Sequence, residues 1–92
     1  MVKIVVKKLI WDIGNSEHIK KHKVSKSEAE EAGLNPIVIK IAQRGCYLLI
    51  GRSGTRIISV IVVRKGMGLY YVATARDADK KERRLVYGKE NK

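Results

Sequence analysis

Apolar residues come in short blocks along this chain, and the spacing inside each block predicts an element. Val2 to Trp11 is rich in Val and Ile with lysines at positions 3, 7 and 8, and reads as a first strand. Asn15 and Ser16 are N-cap residue types ahead of a short basic helix, Glu17 to Lys23, which carries His18 and His22 one turn apart. Ser25-Lys26-Ser27-Glu28 fits a capping box and opens a second helix. Gly33 is a natural C-cap for it, and Asn35-Pro36 bars its continuation.

Three strand patterns then follow in quick succession. Ile37 to Arg44 alternates, with Ile37, Ile39 and Ile41 on one side and Lys40 and Arg44 on the other. A turn at Arg44-Gly45 leads into Cys46 to Ser53, and Ser53-Gly54-Thr55 turns into Arg56 to Lys65. That last strand is nearly all apolar from Ile57 to Val63, which predicts a central position with both faces buried. Gly66-Met67-Gly68 turns into Leu69 to Arg76, and Asp77 or Asp79 caps a final helix through about Tyr87. The expected class is α+β: an antiparallel, mostly meander sheet of four to five strands, with two N-terminal helices and one C-terminal helix packed on it.

Length and composition narrow this further. The 92 residues leave room for one domain, 1–92, with 89–92 expected to fray. At 45% hydrophobic residues the chain can bury a core and is no disordered basic tail. Lysines interrupt the opening apolar segment, so neither a membrane span nor a signal peptide is expected, and the expected location is cytoplasmic. The single cysteine, Cys46, excludes a disulfide scaffold and a site built on several thiolates.

The net charge of +11 implies a polyanionic partner, and its distribution says more than its total. Residues 37–75, the most strand-like part of the chain, hold six basic side chains and no acid. A sheet would therefore display them. Residues 25–36 run the other way, with Glu28, Glu30 and Glu31, a group that suits a helix N-terminal turn or the basic residues of a partner.

Arg52 and Arg56 flank the Ser53-Gly54-Thr55 hairpin and are expected nearly opposite one another, where only a shared anion would relieve their repulsion. Arg76 ends the last strand just before a helix start, so the three guanidiniums are candidates to grip one phosphate. Tyr70 is expected on the strand face of Thr74 and Arg76 by parity, as a stacking ring. His18 and His22 share a spacing that suits a metal, but the third ligand is missing and Ile19 stands where a metalloprotease helix carries its Glu. No metal site and no cofactor are expected.

In order along the chain, several segments resemble those of the BrnT family, ribonuclease toxins of type II toxin–antitoxin modules. They are Trp11-Asp12; Lys21-His22-Lys23-Val24-Ser25 with Glu28 and Ala29, in which Lys23 stands in place of a glycine; Asn35-Pro36; Ile50-Gly51-Arg52-Ser53 with Gly54-Thr55-Arg56; and Thr74-Ala75-Arg76-Asp77-Ala78 with Lys81-Glu82-Arg83 and Tyr87. The resemblance implies a RelE-like fold, metal-independent endoribonuclease activity on RNA, and a ribbon-helix-helix antitoxin partner through which alone DNA would be contacted. It implies no membrane partner.

RNA supplies its own nucleophile, the 2′-hydroxyl, so such an enzyme must orient the attack, move protons and stabilise charge on the phosphorane. Arg52 and Arg76 are the expected catalytic cations, and His22 the first choice for proton transfer. Arg56, Lys21 and Tyr70 are expected to bind the substrate phosphate. His18, Glu28 and Glu82 are the alternatives for the base. The alternative function is a non-catalytic basic module that binds nucleic acid.

Overall fold

In the computed structural model, residues 4–43 and 45–91 are described. Eight elements follow one another: β1 (Lys8–Ile10), α1 (Ile13–Lys20), α2 (Lys26–Leu34), β2 (Val38–Gln43), β3 (Cys46–Ser53), β4 (Arg56–Gly66), β5 (Leu69–Asp77) and α3 (Lys80–Glu90). The strands form one sheet in the order β1-β5-β4-β3-β2. From β2 to β5 the sheet is an antiparallel meander, as the run of turn signals implied. β1 pairs with β5 in parallel, so the sheet is mixed and not purely antiparallel. The chain reaches β1's edge first and β2's edge only after two helices, and that long crossover lets β1 run alongside β5.

The helices divide between the two faces. Ile19 of α1, Val24 in the turn that follows it, and Ala29 and Ala32 of α2 pack with Leu9, Leu49, Ile58, Val60, Val62, Tyr70, Val72 and Ala75. Val86 of α3 packs on the opposite face with Val38, Ile50, Ile57 and Ala78. β4 is central and Ile57 to Val60 is buried on both faces. Gly51 explains how α2 comes so close: a Cβ there would lie 2.4 Å from the Ala32 carbonyl oxygen.

Several boundaries differ from expectation for local reasons. Only Lys8–Ile10 of the first segment is a strand, and the expected start at Val2 lies outside the described residues. Asp12, not Asn15 or Ser16, caps α1, and Asn15 returns the capping bond while its Nδ2 donates to the Ile10 carbonyl at 2.9 Å. Gly33 is not the C-cap: α2 runs to Leu34, and Gly33 admits the side chain of Leu9, whose Cδ1 would lie 3.0 Å from a Cβ. Ile37 precedes β2 and packs on the α3 side, while Ile39 packs on the α2 side, so the two isoleucines do not share a face. Arg44 lies outside the described residues. α3 continues to Glu90, past the expected end near Tyr87, where Glu90 is tied to Arg52; Lys92 lies outside the described residues.

Candidate nucleic-acid interface

α3 has two buried residues, Glu82 and Val86, and it covers one end of its face of the sheet. The rest of that face stays open. Cross-strand register places Lys40 beside Leu48, Leu48 beside Ile61, Ile61 beside Thr74, Cys46 beside Val63, and Val63 beside Tyr71. Lys8 and Ile10 extend the same face at the β1 edge. Ile61, Val63 and Leu48 are half-buried, and Lys40, Lys65 and Lys8 are exposed around them. The surface is apolar at its centre and cationic at its rim.

The three arginines do not converge. The hairpin pairs Ser53 with Arg56 and Arg52 with Ile57, a one-residue offset that puts Arg52 and Arg56 on opposite faces, so the expected like-charge pair does not form. Arg52 Nε and Nη2 donate to both oxygens of Glu90, Nη2 at 2.8 Å. Arg56, on the α2 side, donates to Asp77 at 2.7 Å and to Glu28 at 2.8 Å and 2.9 Å. Arg76 shares the open face with Ser59 and donates to Glu82 at 2.8 Å and 3.0 Å. Each guanidinium therefore faces a carboxylate in fork geometry or is shared between two.

These pairs set the local protonation. Burial pushes the Glu82 carboxyl up, but the Arg76 guanidinium, the Asp79 amide at 2.9 Å and the Ser59 hydroxyl at 2.8 Å outweigh it and hold the pKa at about 2. The Ser25 amide and Arg56 hold Glu28 below its ordinary value, and Arg56 does the same for Asp77. Arg52 lowers Glu90. Two of the three acids on α2 are thus used inside the fold, since Glu31 also accepts from the Ser53 hydroxyl at 2.8 Å.

Tyr70 is a packing residue. β5 carries a bulge between its pairings with Ile61 and Val62, so Ala73 is extra and parity reverses across it. Tyr70 consequently faces the α2 side, 3% exposed, with its ring edge-on to Tyr47 at 5.9 Å. Tyr71 takes the open face in its place. Its hydroxyl donates to the Asp12 carboxylate at 3.0 Å, which raises its pKa, and Lys65 lies 5.9 Å above its ring. Simple alternation could not reveal this, because a bulge leaves no mark on the hydrophobic pattern.

His22 and Lys21 lie in the exposed turn after α1, and the nearest aromatic neighbour of His22 is His18, ring centroids 5.4 Å apart. No side-chain hydrogen bond joins His22 to Arg52, Arg56 or Arg76 among the described residues. Among the described residues no group of three His, Cys, Asp or Glu is placed to hold a metal ion. No helix is long and apolar enough to cross a membrane among them.

Among solved structures, this fold is similar to that of a ribonuclease toxin. The match is to the crystal structure of BrnT from Brucella abortus, with a TM-score of 0.63 and 23% sequence identity over 85% of this chain and 100% of that one. No protein-family model matches the chain, and no curated protein matches it. The α+β architecture that the sequence motifs implied is thus shared with a solved structure of that toxin.

Proposed function

We propose that the chain is the endoribonuclease toxin of a type II toxin–antitoxin module. The observation that carries the reading is the likeness of its fold to the whole of a ribonuclease toxin. The open sheet face with its cationic rim agrees with an RNA substrate. A ribbon-helix-helix antitoxin in the cytoplasm is the partner this reading implies, with DNA reached only through it.

In the proposed reaction the RNA 2′-oxygen attacks the adjacent phosphorus, and the bond to the 5′-oxygen breaks. A base takes the 2′-hydroxyl proton, an acid supplies one to the leaving oxygen, and the products are a 2′,3′-cyclic phosphate and a free 5′-hydroxyl. Arg76 is the proposed stabiliser of phosphorane charge, with Arg52 on the same face as a second phosphate contact. Glu82 and Glu28 are not chosen as the base in this reading, since both carboxyls are held below their ordinary range by arginine partners and so accept a proton weakly. His22 is the proposed proton carrier, with Lys21 beside it as a positioning cation. Tyr70, with its buried ring, and Arg56, shared by Glu28 and Asp77 on the other face, are left out of the proposed RNA contacts.

Wild type, Arg76→Ala, Arg76→Lys and His22→Gln are compared on total RNA in excess chelator. Wild type is expected to cut, and Arg76→Ala to be slower by roughly 10²–10³-fold with its circular dichroism spectrum retained. Undiminished cleavage by Arg76→Ala removes the arginine-centred site. Salt-dependent RNA binding by wild type with no cleavage products, with or without added divalent metal, replaces the reading with a nucleic-acid-binding module.

A further inference from the structure

Trp11 is the only tryptophan of the chain, and core packing accounts for only part of its ring. It follows β1 directly, half-buried, and packs one part of its ring against the core. The remainder borders a cavity of about 440 Å³ lined by Lys8, Leu9, Ile10, Trp11, Lys26 and Leu69. Small-molecule sites occupy roughly 300–1,000 Å³, so this cavity is large enough for one nucleotide unit.

Its chemistry is one-sided. The lining holds two ammonium groups and no carboxylate. Neither Lys8 nor Lys26 has an ion-pair partner among the described residues. Lys26 Nζ lies 5.6 Å from the centre of the indole ring. It is also the first residue of α2, and an adjoining cavity shares Lys26 and Trp11 but is lined by Asp12 and Glu17, so the two-lysine chemistry is confined to the Lys8 side of the indole ring. Lys8 lies on the open sheet face while Leu9, Trp11 and Lys26 lie on the α2 side, so the cavity wraps the β1 edge of the sheet.

We propose that this cavity is a nucleotide subsite for single-stranded RNA, with a base against Trp11 and its flanking phosphate between Lys8 and Lys26. Leu9, Ile10 and Leu69 supply apolar walls for the base edge. The choice of RNA rests on the endoribonuclease reading. An acidic peptide would satisfy the two lysines but has no use for an aromatic ring between them, whereas a base flanked by phosphates uses both.

The sole tryptophan makes the test direct. The full chain is titrated with a 2′-O-methyl oligoribonucleotide, which cannot be cut, and Trp11 fluorescence is followed. Saturable quenching is expected, and the Lys8→Ala/Lys26→Ala double variant should bind the labelled oligonucleotide roughly tenfold more weakly by anisotropy with its fold retained. Trp11→Phe should keep most of the affinity and Trp11→Ala should lose it. Equal quenching by polyglutamate or by an abasic oligomer, or unchanged affinity in the lysine variant, overturns the proposal. RNA cleavage with no quenching removes the subsite and leaves the reaction standing. Quenching without cleavage of natural RNA removes the reaction and leaves the subsite.

Discussion

Replacing Glu82 by Gln removes one negative charge and keeps the side chain's shape, which isolates what the carboxylate contributes. That carboxylate accepts bonds from Arg76, Ser59 and the Asp79 amide, and with Val86 it makes up the buried part of α3. Its pKa falls from an ordinary 4.5 to about 2 on folding, so the folded state binds the proton more weakly than the unfolded one. The stability this represents is fully present above about pH 4.5 and is lost as pH falls towards about 2. The difference between the two values corresponds to about 3 kcal/mol. Solvent takes little from it, because the Glu82 side chain is 10% exposed.

Glu82→Gln is therefore expected to cost about 2–4 kcal/mol at neutral pH, the amide's N–H groups now pointing at Arg76. For a domain of this size that lowers the melting temperature by about 10–20 °C. Urea unfolding at neutral pH and again between pH 4.5 and pH 2 measures both the loss and its pH dependence. The wild type should weaken steeply across that interval and the variant less so, since Glu28, Asp77 and Glu90 still titrate in the same direction. A variant within about 0.5 kcal/mol of wild type, with the same acid slope, would falsify the reasoning.

Gly51→Ala places a methyl 2.4 Å from the Ala32 carbonyl oxygen, and a lower urea midpoint by about 1–3 kcal/mol is expected; an unchanged midpoint would mean that α2 does not approach β3 this closely. Lys23 holds φ at +59°, the left-handed conformation, so Lys23→Gly is expected to raise stability by about 1 kcal/mol in thermal melts, and a loss would contradict that backbone. Asp12→Asn keeps an acceptor oxygen but removes the negative charge that strengthens the bond raising Tyr71, so the Tyr71 phenol should titrate closer to 10 in an ultraviolet absorbance titration, with Tyr71→Phe identifying its share of the signal. If Asp12→Asn leaves the curve unmoved, the hydroxyl does not donate to Asp12.

What was legible beforehand follows from locality. The Ser25–Glu28 capping box closes within four residues, so its types and spacing suffice, and the Glu28 amide donates to the Ser25 hydroxyl oxygen at 3.1 Å as that pattern requires. The apolar run from Ile57 to Val63 likewise announced a central strand, because only a strand with neighbours on both sides can bury so many branched side chains. Gly33 shows the limit. Its type said C-cap, but a side chain from β1 claims the space, and that contact is invisible along the chain.

The candidate site was less legible than the fold. Arginine counts and positions come from the sequence, and the acid-free stretch of residues 37–75 spans β2, β3, β4 and most of β5. Which face each guanidinium occupies depends on a one-residue offset at the β3–β4 hairpin, and which tyrosine is exposed depends on one extra residue, Ala73, in β5. Side chains alternate with a period of two, so a single-residue shift reverses every assignment beyond it. The carboxylate partners are further still: Glu90 lies 38 residues from Arg52, and Glu28 lies 28 from Arg56. The sequence by itself determined the elements and the sign of the charge. Only the folded chain decided which cations are neutralised and which remain free, because that depends on contacts between residues far apart in order and adjacent in space.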